Sequence, residues 1–415
     1  MSMSASTFDL LVAGGGAAGM MAAITAAENG ASVCILEKNS RPCRKVYITG
    51  KGRCNVTNNC SAAECIENIP TNPKFLYSAL HAFPPEKVMA FFEESGCPLK
   101  TERGNRVFPV SDRAADIIDA LRERSRGLNI ALKPTVCRRL RCENDAVLGM
   151  ETDSGLFNAP AVILATGGAS YPLTGSTGDG YAIAQAVGHT IVAPTGSLVP
   201  LECAGDYLSD LNGLSLRNVG VRLCRDGRCI HSEFGELTFT AFGLDGPTVL
   251  TCSAHMGRDS GFTLHLDLKP ALTAEMLDAR ILREIAAAPG STMPLLLSKL
   301  LPRQMIRPVL KQCGISPALA ADALTKAARQ TLIRTLKDLP FPILGKRPLE
   351  EAIVTSGGVS VSEVDPKTMQ SRLISGLYFA GELLDVDAYT GGFNLQIAWA
   401  TGHAAGLAAA NSLRR

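Results

Sequence analysis

Hydrophobic positions at the start of the chain form two short runs, separated by a glycine-rich turn and a longer Ala-rich stretch. The order is FDLLVAGGG from Phe8, then AAGMMAAITAAENG, then ASVCILEKN. Short apolar runs bounded by turn residues are typical of buried strands, and the middle stretch is long enough for a helix. The pattern predicts a β-α-β unit. Similar runs return at APAVILATGG and GLYFAGELL, and a last Ala-rich helix is predicted from about Asn394 to Ala410.

Two internal segments differ from this α/β pattern. From about Thr190 to Leu268 short strands alternate, with a predicted hairpin turn at Asp226-Gly227. The following segment has a helical period, which predicts short helices interrupted at Pro294, Pro302, Pro308 and Pro317. We therefore predict three domains: a discontinuous α/β domain of residues 1–189 and 350–415, a small β-barrel-like domain of residues 190–270 and 338–349, and a helical insert domain of residues 271–337.

Composition and charge narrow the class of protein. Of the 415 residues, 46% are hydrophobic and 19% charged, which is typical of a soluble globular chain with a substantial core. Lys and Arg number 41 against 39 Asp and Glu, a net charge of +2, so a polyanionic partner is not expected from the overall balance. No apolar run approaches the roughly 18 residues of a membrane span, and the first residues lack the pattern of a signal peptide. We expect a cytoplasmic protein with no membrane and no nucleic-acid partner.

The thirteen cysteines are scattered along the chain. None belong to a C-x-x-C motif, which argues against a redox dithiol and against common zinc spacings. We interpret them as reduced thiols and expect no metal site.

The first β-α turn carries the chain's strongest motif. Gly14, Gly16 and Gly19 supply G-x-G-x-x-G directly after a predicted strand and before a predicted helix. Such glycines let the backbone approach a pyrophosphate at the helix N-terminus, and the carboxylate of Glu37, at the end of the second strand, can accept both ribose hydroxyls of an adenosine. The alternative is a structural glycine turn. The β-α-β placement favours a dinucleotide, either NAD or FAD.

The rest of the chain favours FAD over NAD. No second G-x-G-x-x-G follows another strand-like run. Two apolar strands end in small and acidic residues, at ILATGG and LYFAGELLDVD, where Glu382 or Asp385 can accept hydrogen bonds from ribityl hydroxyls. The alternative is that these are buried strands with polar loops. A glycine pair before the last helix places free N–H groups near Gly392–Leu395, which can stabilise negative charge on a reduced flavin.

The stretch TGKGRCNVTN, residues 49–58, contains glycines, a lysine, an arginine and hydroxyls. It is not a nucleoside-triphosphate loop, because Gly50-Lys51 is followed by Gly52 and not by a hydroxyl residue.

Five stretches of the chain point to one family: GGGAAGMMAAITAAENGASVCILEKN, KVYITGKGRCNVTN, RVFPVSDRAADIIDAL, ATGGASYPLTGSTGDGYAIAQAVGH and the segment from TSGGVSVSEVD to TGGFNLQIAWATGHAAG. Together they resemble the BaiN/YhiN-like flavoproteins, or aminoacetone-oxidase-type FAD-binding proteins. The resemblance runs from about residue 8 to residue 408. It implies a noncovalent FAD in an α/β, glutathione-reductase-type FAD-binding Rossmann-like domain, interrupted by a small β-barrel-like domain and a small helical insert domain.

Matched position by position, the resemblance implies a set of cofactor contacts. These are Gly14, Gly16, Ala17, Ala18 and Gly19 at the pyrophosphate; Glu37, with Lys38 beside it, at the adenosine ribose; Lys45, Gly50, Arg53, Asn55 and Thr57 along the phosphates and the flavin edge; Val136 at the adenine; Thr166 and Gly167 over the cofactor; Gly381, Glu382 and Asp385 at the ribityl chain; and Gly392, Phe393, Asn394 and Leu395 at the pyrimidine edge. The sequence departs from the family pattern at Ala241, Asp245 and Ala388, which places an inherited substrate pocket in doubt.

The resemblance further implies NAD(P)H-dependent reduction of a C=C bond conjugated to a ketone, on an apolar enone of the steroid or bile-acid type. That chemistry needs a hydride donor, a group that polarises the ketone and an acid. Tyr389 and Tyr171 are candidate acids, and His255 is a weaker candidate for a substrate-facing donor. Two alternatives stay open: a flavin oxidase of a small amine, and a flavoprotein that acts on or binds tRNA.

Overall fold

The computed structural model describes residues 6–205 and 208–414. The chain divides into two compact units, the first formed by Met1–Ser197 and Leu349–Arg415, the second by Leu198–Pro348. The first unit is therefore discontinuous in sequence. Our finer division, which separates a barrel domain from a helical insert domain, stays a prediction.

The first segment of the first unit alternates strands and helices. Its strands are β1 (Ser6–Thr7), β2 (Leu10–Ala13), β3 (Val33–Glu37), β4 (Thr57–Asn58), β5 (Leu99–Glu102), β6 (Arg106–Pro109), β7 (Ala131–Pro134), β8 (Cys137–Glu143), β9 (Ala146–Thr152), β10 (Gly155–Asn158), β11 (Ala161–Leu164) and β12 (Ile191–Ser197). Its helices are α1 (Ala17–Glu28), α2 (Arg44–Ile48), α3 (Ala62–Glu67), α4 (Tyr77–Ala82), α5 (Pro85–Glu94), α6 (Ala114–Gly127) and α7 (Asp179–Gln185).

The second unit and the chain's return to the first unit complete the fold. The second unit contains β13 (Leu201–Cys203), β14 (Ser215–Arg225), β15 (Arg228–Phe239), β16 (Gly243–Asp245), β17 (Phe262–Asp267) and β18 (Leu339–Lys346), with α8 (Leu208–Leu211), α9 (Pro247–Ala254), α10 (Ala274–Ala287), α11 (Met293–Leu297), α12 (Arg303–Cys313) and α13 (Lys326–Lys337). The last segment adds β19 (Val354–Val359), β20 (Leu377–Phe379) and α14 (Phe393–Ser412).

The core of the first unit is a parallel sheet in the order β20-β11-β2-β3-β7. Every residue of its strands β2, β3, β11 and β20 is buried, which explains why, apart from Glu37 at the end of β3, they are continuous apolar runs and not alternating ones. The predicted β-α-β unit is confirmed as β2-α1-β3. Because the strands are parallel, the loops that follow β2, β3, β11 and β20 emerge at one edge of the sheet.

Helices α1 and α14 pack backbone to backbone in the same unit. A Cβ added to Gly402 would lie 2.4 Å from the carbonyl oxygen of Ala18, and one added to Gly406 would lie 2.3 Å from that of Ala22. Small residues on both helices therefore permit this close approach. The contact fixes the first turn of α1 against a helix from the other end of the chain.

The second unit contains a closed barrel with strand order β13-β16-β15-β14-β17-β18. The predicted hairpin at Asp226-Gly227 is confirmed: it joins β14 to β15, and both turn residues have a positive φ, +50° and +74°. Buried residues from the barrel and from α10–α13 form one continuous hydrophobic cluster.

Our prediction that helices are interrupted at Pro294, Pro302, Pro308 and Pro317 is wrong at Pro308, which lies inside α12. Proline there removes one backbone hydrogen bond, and Pro308 is buried, as are its helix neighbours Met305 and Val309. Burial of the ring offsets part of that loss.

Candidate functional site

The three motif glycines of the first β-α turn have different surroundings. A Cβ on Gly14 would lie 2.5 Å from the carbonyl oxygen of Ala165, and one on Gly19 would lie 1.9 Å from that of Gly14. Internal packing therefore explains both glycines. A Cβ on Gly16 would meet nothing within 4 Å. The chain itself does not require a glycine at this position, whereas a ligand lying close to the backbone does.

Helix α1 begins beside this open face. Its N-cap is Gly16, with no side-chain cap and no acidic residue in the first turn. The first N–H groups of an α-helix have no partner inside the helix, and its dipole favours an anion there. The backbone amides of Ala17 and Ala18 are therefore placed to bind a phosphate group. Gly381 packs against the same turn, since a Cβ added to Gly381 would lie 2.7 Å from the Cβ of Ala18.

Glu37 lies at the end of β3 and is buried. One carboxylate oxygen accepts a hydrogen bond from the backbone N–H of Gly15 at 2.7 Å, and the other accepts from Asn39. Its carboxylate is thus oriented toward the glycine turn, as a ribose contact requires. The neighbouring Lys38 points elsewhere, since its ammonium binds Asp179 at 2.8 Å and Thr177 at 2.7 Å.

The loop after β11 lies at the same edge of the sheet. The hydroxyl oxygen of Thr166 is buried and has no hydrogen-bond partner among the described residues. Gly167 has a positive φ of +79°, and a Cβ there would lie 3.1 Å from the hydroxyl of Ser176. The Cα of Thr166 lies beside Gly14, and its orphaned hydroxyl lies against Gly180, where an added Cβ would be 1.9 Å from it.

Glu382, in the loop after β20, belongs to a network that the sequence did not reveal. Both of its oxygens accept from the Lys45 ammonium, at 2.9 and 2.7 Å. One oxygen also accepts from the Ser170 hydroxyl at 3.1 Å and the Thr355 backbone N–H at 2.9 Å. Ser170 and Thr355 are fully buried. Lys45, predicted along the phosphates and the flavin edge, contacts Glu382, which was predicted at the ribityl chain.

Asp385 follows on the same loop and accepts from the side chain of Asn72 at 3.0 Å. Burial, with a smaller effect of the nearby Asp387, raises the pKa of Asp385. Burial also raises the pKa of Tyr181, with the carboxylates of Glu382 and Asp385 adding to the effect. Tyr181 therefore stays protonated. The sequence analysis missed this buried phenol, although it lies within the quoted stretch GSTGDGYAIAQ.

The start of α14 is attached to the TGKGRCNVTN stretch. Gly392 has a positive φ of +101°, and a Cβ added there would lie only 2.3 Å from the backbone carbonyl oxygen of Thr57. The buried Thr57 hydroxyl donates to Gln396 at 2.6 Å, and Asn58 donates to the carbonyl of Gly391 at 3.1 Å. The structure thus brings together the two stretches that most resemble the flavoprotein family.

Helix α14 resembles α1 in how it begins. Its N-cap is Gly392, without a side-chain cap or an acidic residue in the first turn. Phe393 is buried, and the side chain of Asn394 binds the backbone N–H and carbonyl of the fully buried Ala388 at 3.0 and 2.6 Å. The first-turn amides up to Leu395 are therefore available to an anion. The side chain of Asn394 is not, because it orders the preceding loop.

Arg53 and Asn55, within the same stretch, have different surroundings. The guanidinium of Arg53 binds Glu102 at 2.5 Å and Asp112 at 2.8 Å, and its centre lies 4.1 Å from the Phe108 ring centroid. These carboxylates balance its charge, so its contacts lend no support to a role at the pyrophosphate. The buried side-chain oxygen of Asn55, in contrast, has no hydrogen-bond partner among the described residues.

The remaining predicted contacts are scattered. Gly50 has a positive φ of +57°, and a Cβ added there would lie 3.0 Å from the backbone nitrogen of Asn55. Val136 lies between β7 and β8, and its carbonyl accepts from the N–H of Asp153 at 3.1 Å.

His255, the weaker candidate for a substrate-facing donor, lies in the second unit and stacks on His231, with ring centroids 3.8 Å apart. Burial and His231 lower the pKa of His255 to about 4, so it is neutral near pH 7.

The two candidate acids lie in the first unit. Tyr171 has a left-handed backbone, φ +53°, and the Lys45 ammonium is 5.9 Å from its ring centroid. Tyr389 donates its backbone N–H to the carbonyl of Asn68 at 3.0 Å, and its own carbonyl accepts from Asn394 at 3.3 Å. Both backbones are thus fixed beside predicted cofactor contacts.

These features fit FAD. An open face at Gly16 and two uncapped helix starts suit a pyrophosphate and an electron-rich flavin edge, and buried polar atoms on Thr166 and Asn55 lack protein partners. When bound, FAD supplies hydride transfer.

Among the described residues, no cluster of three or more His, Cys, Asp or Glu could hold a metal ion. In that same part of the chain, no helix is long and apolar enough to cross a membrane.

Comparison with known proteins agrees with this geometry. Residues 8–408 match the family model described as HI0933-like protein Rossmann domain. A 3-dehydro-bile acid delta(4,6)-reductase of Clostridium scindens is 32% identical over 407 residues, covering 96% of this chain and 98% of the relative. A ribosomal RNA dihydrouridine synthase of Haemophilus influenzae is 30% identical over 403 residues, covering 96% and 97%.

Solved structures share the fold. One is the 3-ketosteroid delta1-dehydrogenase of Sterolibacterium denitrificans in complex with 1,4-androstadiene-3,17-dione, with a TM-score of 0.52 at 14% identity, covering 98% of this chain and 100% of that one. Another is a flavocytochrome c3 fumarate reductase, with a TM-score of 0.50 at 16% identity, covering 99% of this chain and 79% of that one.

Proposed function

Because this chain belongs to the HI0933-like family, a group of oxidoreductases with a Rossmann-type FAD-binding domain, we propose that it is an NAD(P)H-dependent reductase of a C=C bond conjugated to a carbonyl group. The observation that carries the proposal is the open Gly16 face at the uncapped start of α1, in a unit where α14 also begins without a cap. It occurs within a chain that matches a double-bond reductase over 96% of its length.

The residues of the first unit have distinct tasks in this proposal. The amides at the start of α1 bind the pyrophosphate, and Glu37 orients the adenosine ribose. The amides at the start of α14 stabilise negative charge on the reduced flavin. Glu382 and Lys45 form an ion pair that holds the loop after β20 against Ser170, and so fix the edge of the site.

The first candidate substrate is an apolar enone of the steroid or bile-acid type. It is supported by the 32% identity to the bile-acid reductase. The electron donor in this proposal is NADH or NADPH, and the reaction moves a hydride to the β-carbon and a proton to the α-carbon of the enone.

The second candidate substrate is a uridine in ribosomal RNA. It is favoured by the relative named as a ribosomal RNA dihydrouridine synthase, at 30% identity over 96% of the chain. The C5=C6 bond of uracil is conjugated to the C4 carbonyl, so its reduction follows the same chemistry. This candidate runs against our sequence-based expectation of no nucleic-acid partner, which rested on a net charge of only +2.

We expect a stopped-flow experiment to distinguish the candidates. The purified, FAD-loaded protein is reduced anaerobically with NADH or NADPH, then mixed with a 4,6-dien-3-one steroid, a ribosomal RNA transcript or oxygen. We expect the dienone to reoxidise the flavin. The matched control is the saturated 3-oxo steroid, which has the ketone without the double bonds and should leave the flavin reduced.

Other results would redirect the proposal. Reoxidation by RNA with a gain of two hydrogens per uridine supports the second candidate. Reoxidation by oxygen alone rejects both. An amine that bleaches the flavin without NAD(P)H, followed by recovery in air, supports an amine oxidase.

Phenylalanine variants test the proton donor. We expect either Tyr389→Phe or Tyr171→Phe to slow reoxidation by the preferred substrate about a hundredfold, the lower end of the effect of a general acid. Reduction of the flavin by NAD(P)H should be unchanged, since it needs no such proton. The exposed Tyr77 stacks on His81 and provides the control, Tyr77→Phe. Full reoxidation rates in both variants would remove these tyrosines from the reaction.

A further inference from the structure

Two cysteines without a recognised motif meet in the first unit. Cys60 precedes α3 and Cys65 lies within it, and their sulfur atoms are 3.8 Å apart. Both are free thiols. The two sulfur atoms are therefore in contact, and a disulfide between them requires this separation to fall to about 2.05 Å. The spacing of five residues, C-x-x-x-x-C, is not the C-x-x-C pattern that the sequence analysis sought.

The two thiols have different chemical environments. Cys60 is partly exposed, whereas Cys65 is buried. The hydrogen bond between the two thiols lowers the pKa of Cys60, and the same bond, together with burial, raises the pKa of Cys65. A more acidic accessible thiol beside a protonated buried thiol is the arrangement of an attacking and a resolving cysteine.

Both ends of this segment are attached to the loop that precedes α14. The N–H of Cys60 donates to the carbonyl of Asn58, whose side chain binds the carbonyl of Gly391. At the other end, the N–H of Asn68 donates to the carbonyl of Cys65, and the carbonyl of Asn68 accepts from the N–H of Tyr389. The loop that carries Tyr389 and Gly391 is therefore held by residues on either side of the two cysteines.

We propose that Cys60 and Cys65 form a second redox centre, a dithiol that exchanges two electrons with small-molecule disulfides and restrains the Tyr389 loop when it is oxidised. The Cys60 thiolate attacks one sulfur of the incoming disulfide and releases the other as a thiol. The Cys65 thiol then loses its proton, attacks Cys60 and releases the second thiol. Two thiols of the protein are oxidised to one disulfide, and one external disulfide is reduced to two thiols.

Redox equilibration of the FAD-loaded protein tests the proposal. The protein is incubated at a series of reduced-to-oxidised glutathione ratios, quenched in acid, alkylated and mapped by mass spectrometry. Because Cys224 and Cys229 are opposite each other on β14 and β15, the experiment uses a Cys229→Ser background, which excludes a bond between them. We expect the peptide with both Cys60 and Cys65 to lose two hydrogens in one two-electron transition, which Cys65→Ser abolishes.

The outcomes are distinct. A peptide that stays a dithiol at every ratio, or that carries only glutathione on Cys60, overturns the proposal. Hydrogen exchange provides a second measurement: we expect the amides around Tyr389 to exchange more slowly in the oxidised protein, about tenfold or more, because the disulfide removes freedom from both attachments. Unchanged exchange with a formed disulfide rejects the link to the loop. Neither result depends on the proposed substrate.

Discussion

Replacement of Gly16 by aspartate should give a colourless protein that is at least as stable as the cofactor-free wild type. A Cβ at Gly16 meets nothing within 4 Å, and its backbone is extended, φ −79° and ψ −167°, as in a usual N-cap. Aspartate is a better N-cap than glycine and suits the helix dipole, so we expect a gain of about 0.5 kcal/mol in the free energy of unfolding.

The same side chain should exclude FAD. A carboxylate placed about 4 Å from a phosphate charge is repelled by about 4 kcal/mol at the effective dielectric constant of a protein surface. That energy corresponds to a loss in FAD affinity of about a thousandfold. The two effects have opposite signs, which distinguishes a ligand-binding glycine from a structural one.

Fluorescence titration of FAD and thermal unfolding of the cofactor-free protein measure both effects. Gly16→Asn is the matched control, because asparagine has the shape and N-cap quality of aspartate without its charge. We expect its FAD affinity to lie between those of wild type and Gly16→Asp. An unchanged affinity in Gly16→Asp would place the pyrophosphate elsewhere.

The second large effect concerns the contact between α1 and α14. We expect Gly402→Ala and Gly406→Ala each to lower the free energy of unfolding by about 2–3 kcal/mol, since each new Cβ meets a backbone carbonyl that cannot move alone. FAD affinity should fall as well, because Ala18 stands at the start of α1. In the double variant, the loss in the free energy of unfolding should be smaller than the sum of the two single losses, because the first methyl group already separates the helices.

Denaturant unfolding of the FAD-free variants measures these costs. Gly127→Ala is the control, since Gly127 ends α6 and a Cβ there meets nothing within 4 Å. We expect it to stabilise the protein by about 0.5 kcal/mol. Full additivity of Gly402→Ala and Gly406→Ala would mean that the helices do not move as rigid bodies.

The sequence predicted the parts of the fold that follow from local pattern. Runs that are apolar throughout marked β2, β3, β11 and β20, and Asp226-Gly227 marked a hairpin because its residues readily adopt a positive φ. The pattern could not show that Pro308 is tolerated within α12, because that depends on the burial of its ring in tertiary contacts.

For the candidate site, the sequence indicated positions but not partners. It placed the glycines at the first β-α turn and Glu37 at the end of the second strand, and the structure orients Glu37 toward Gly15. It could not show that Lys45 pairs with Glu382, 337 positions away, or that Arg53 binds two carboxylates. Such pairings depend on which loops meet at a sheet edge. Cys60 and Cys65 were missed because the sequence test considered only C-x-x-C.

The contact between α1 and α14 also has a consequence for synthesis of the chain on the ribosome. Almost all of α1 is apolar and buried in the finished protein, yet its partner helix begins at Phe393. At about 5–20 residues per second, the interval between residue 28 and residue 393 takes roughly 20–70 s. The second unit is contiguous in sequence and can complete its core during this delay. The face of α1 that packs on α14 must meanwhile stay uncovered, so we expect a chaperone to protect it.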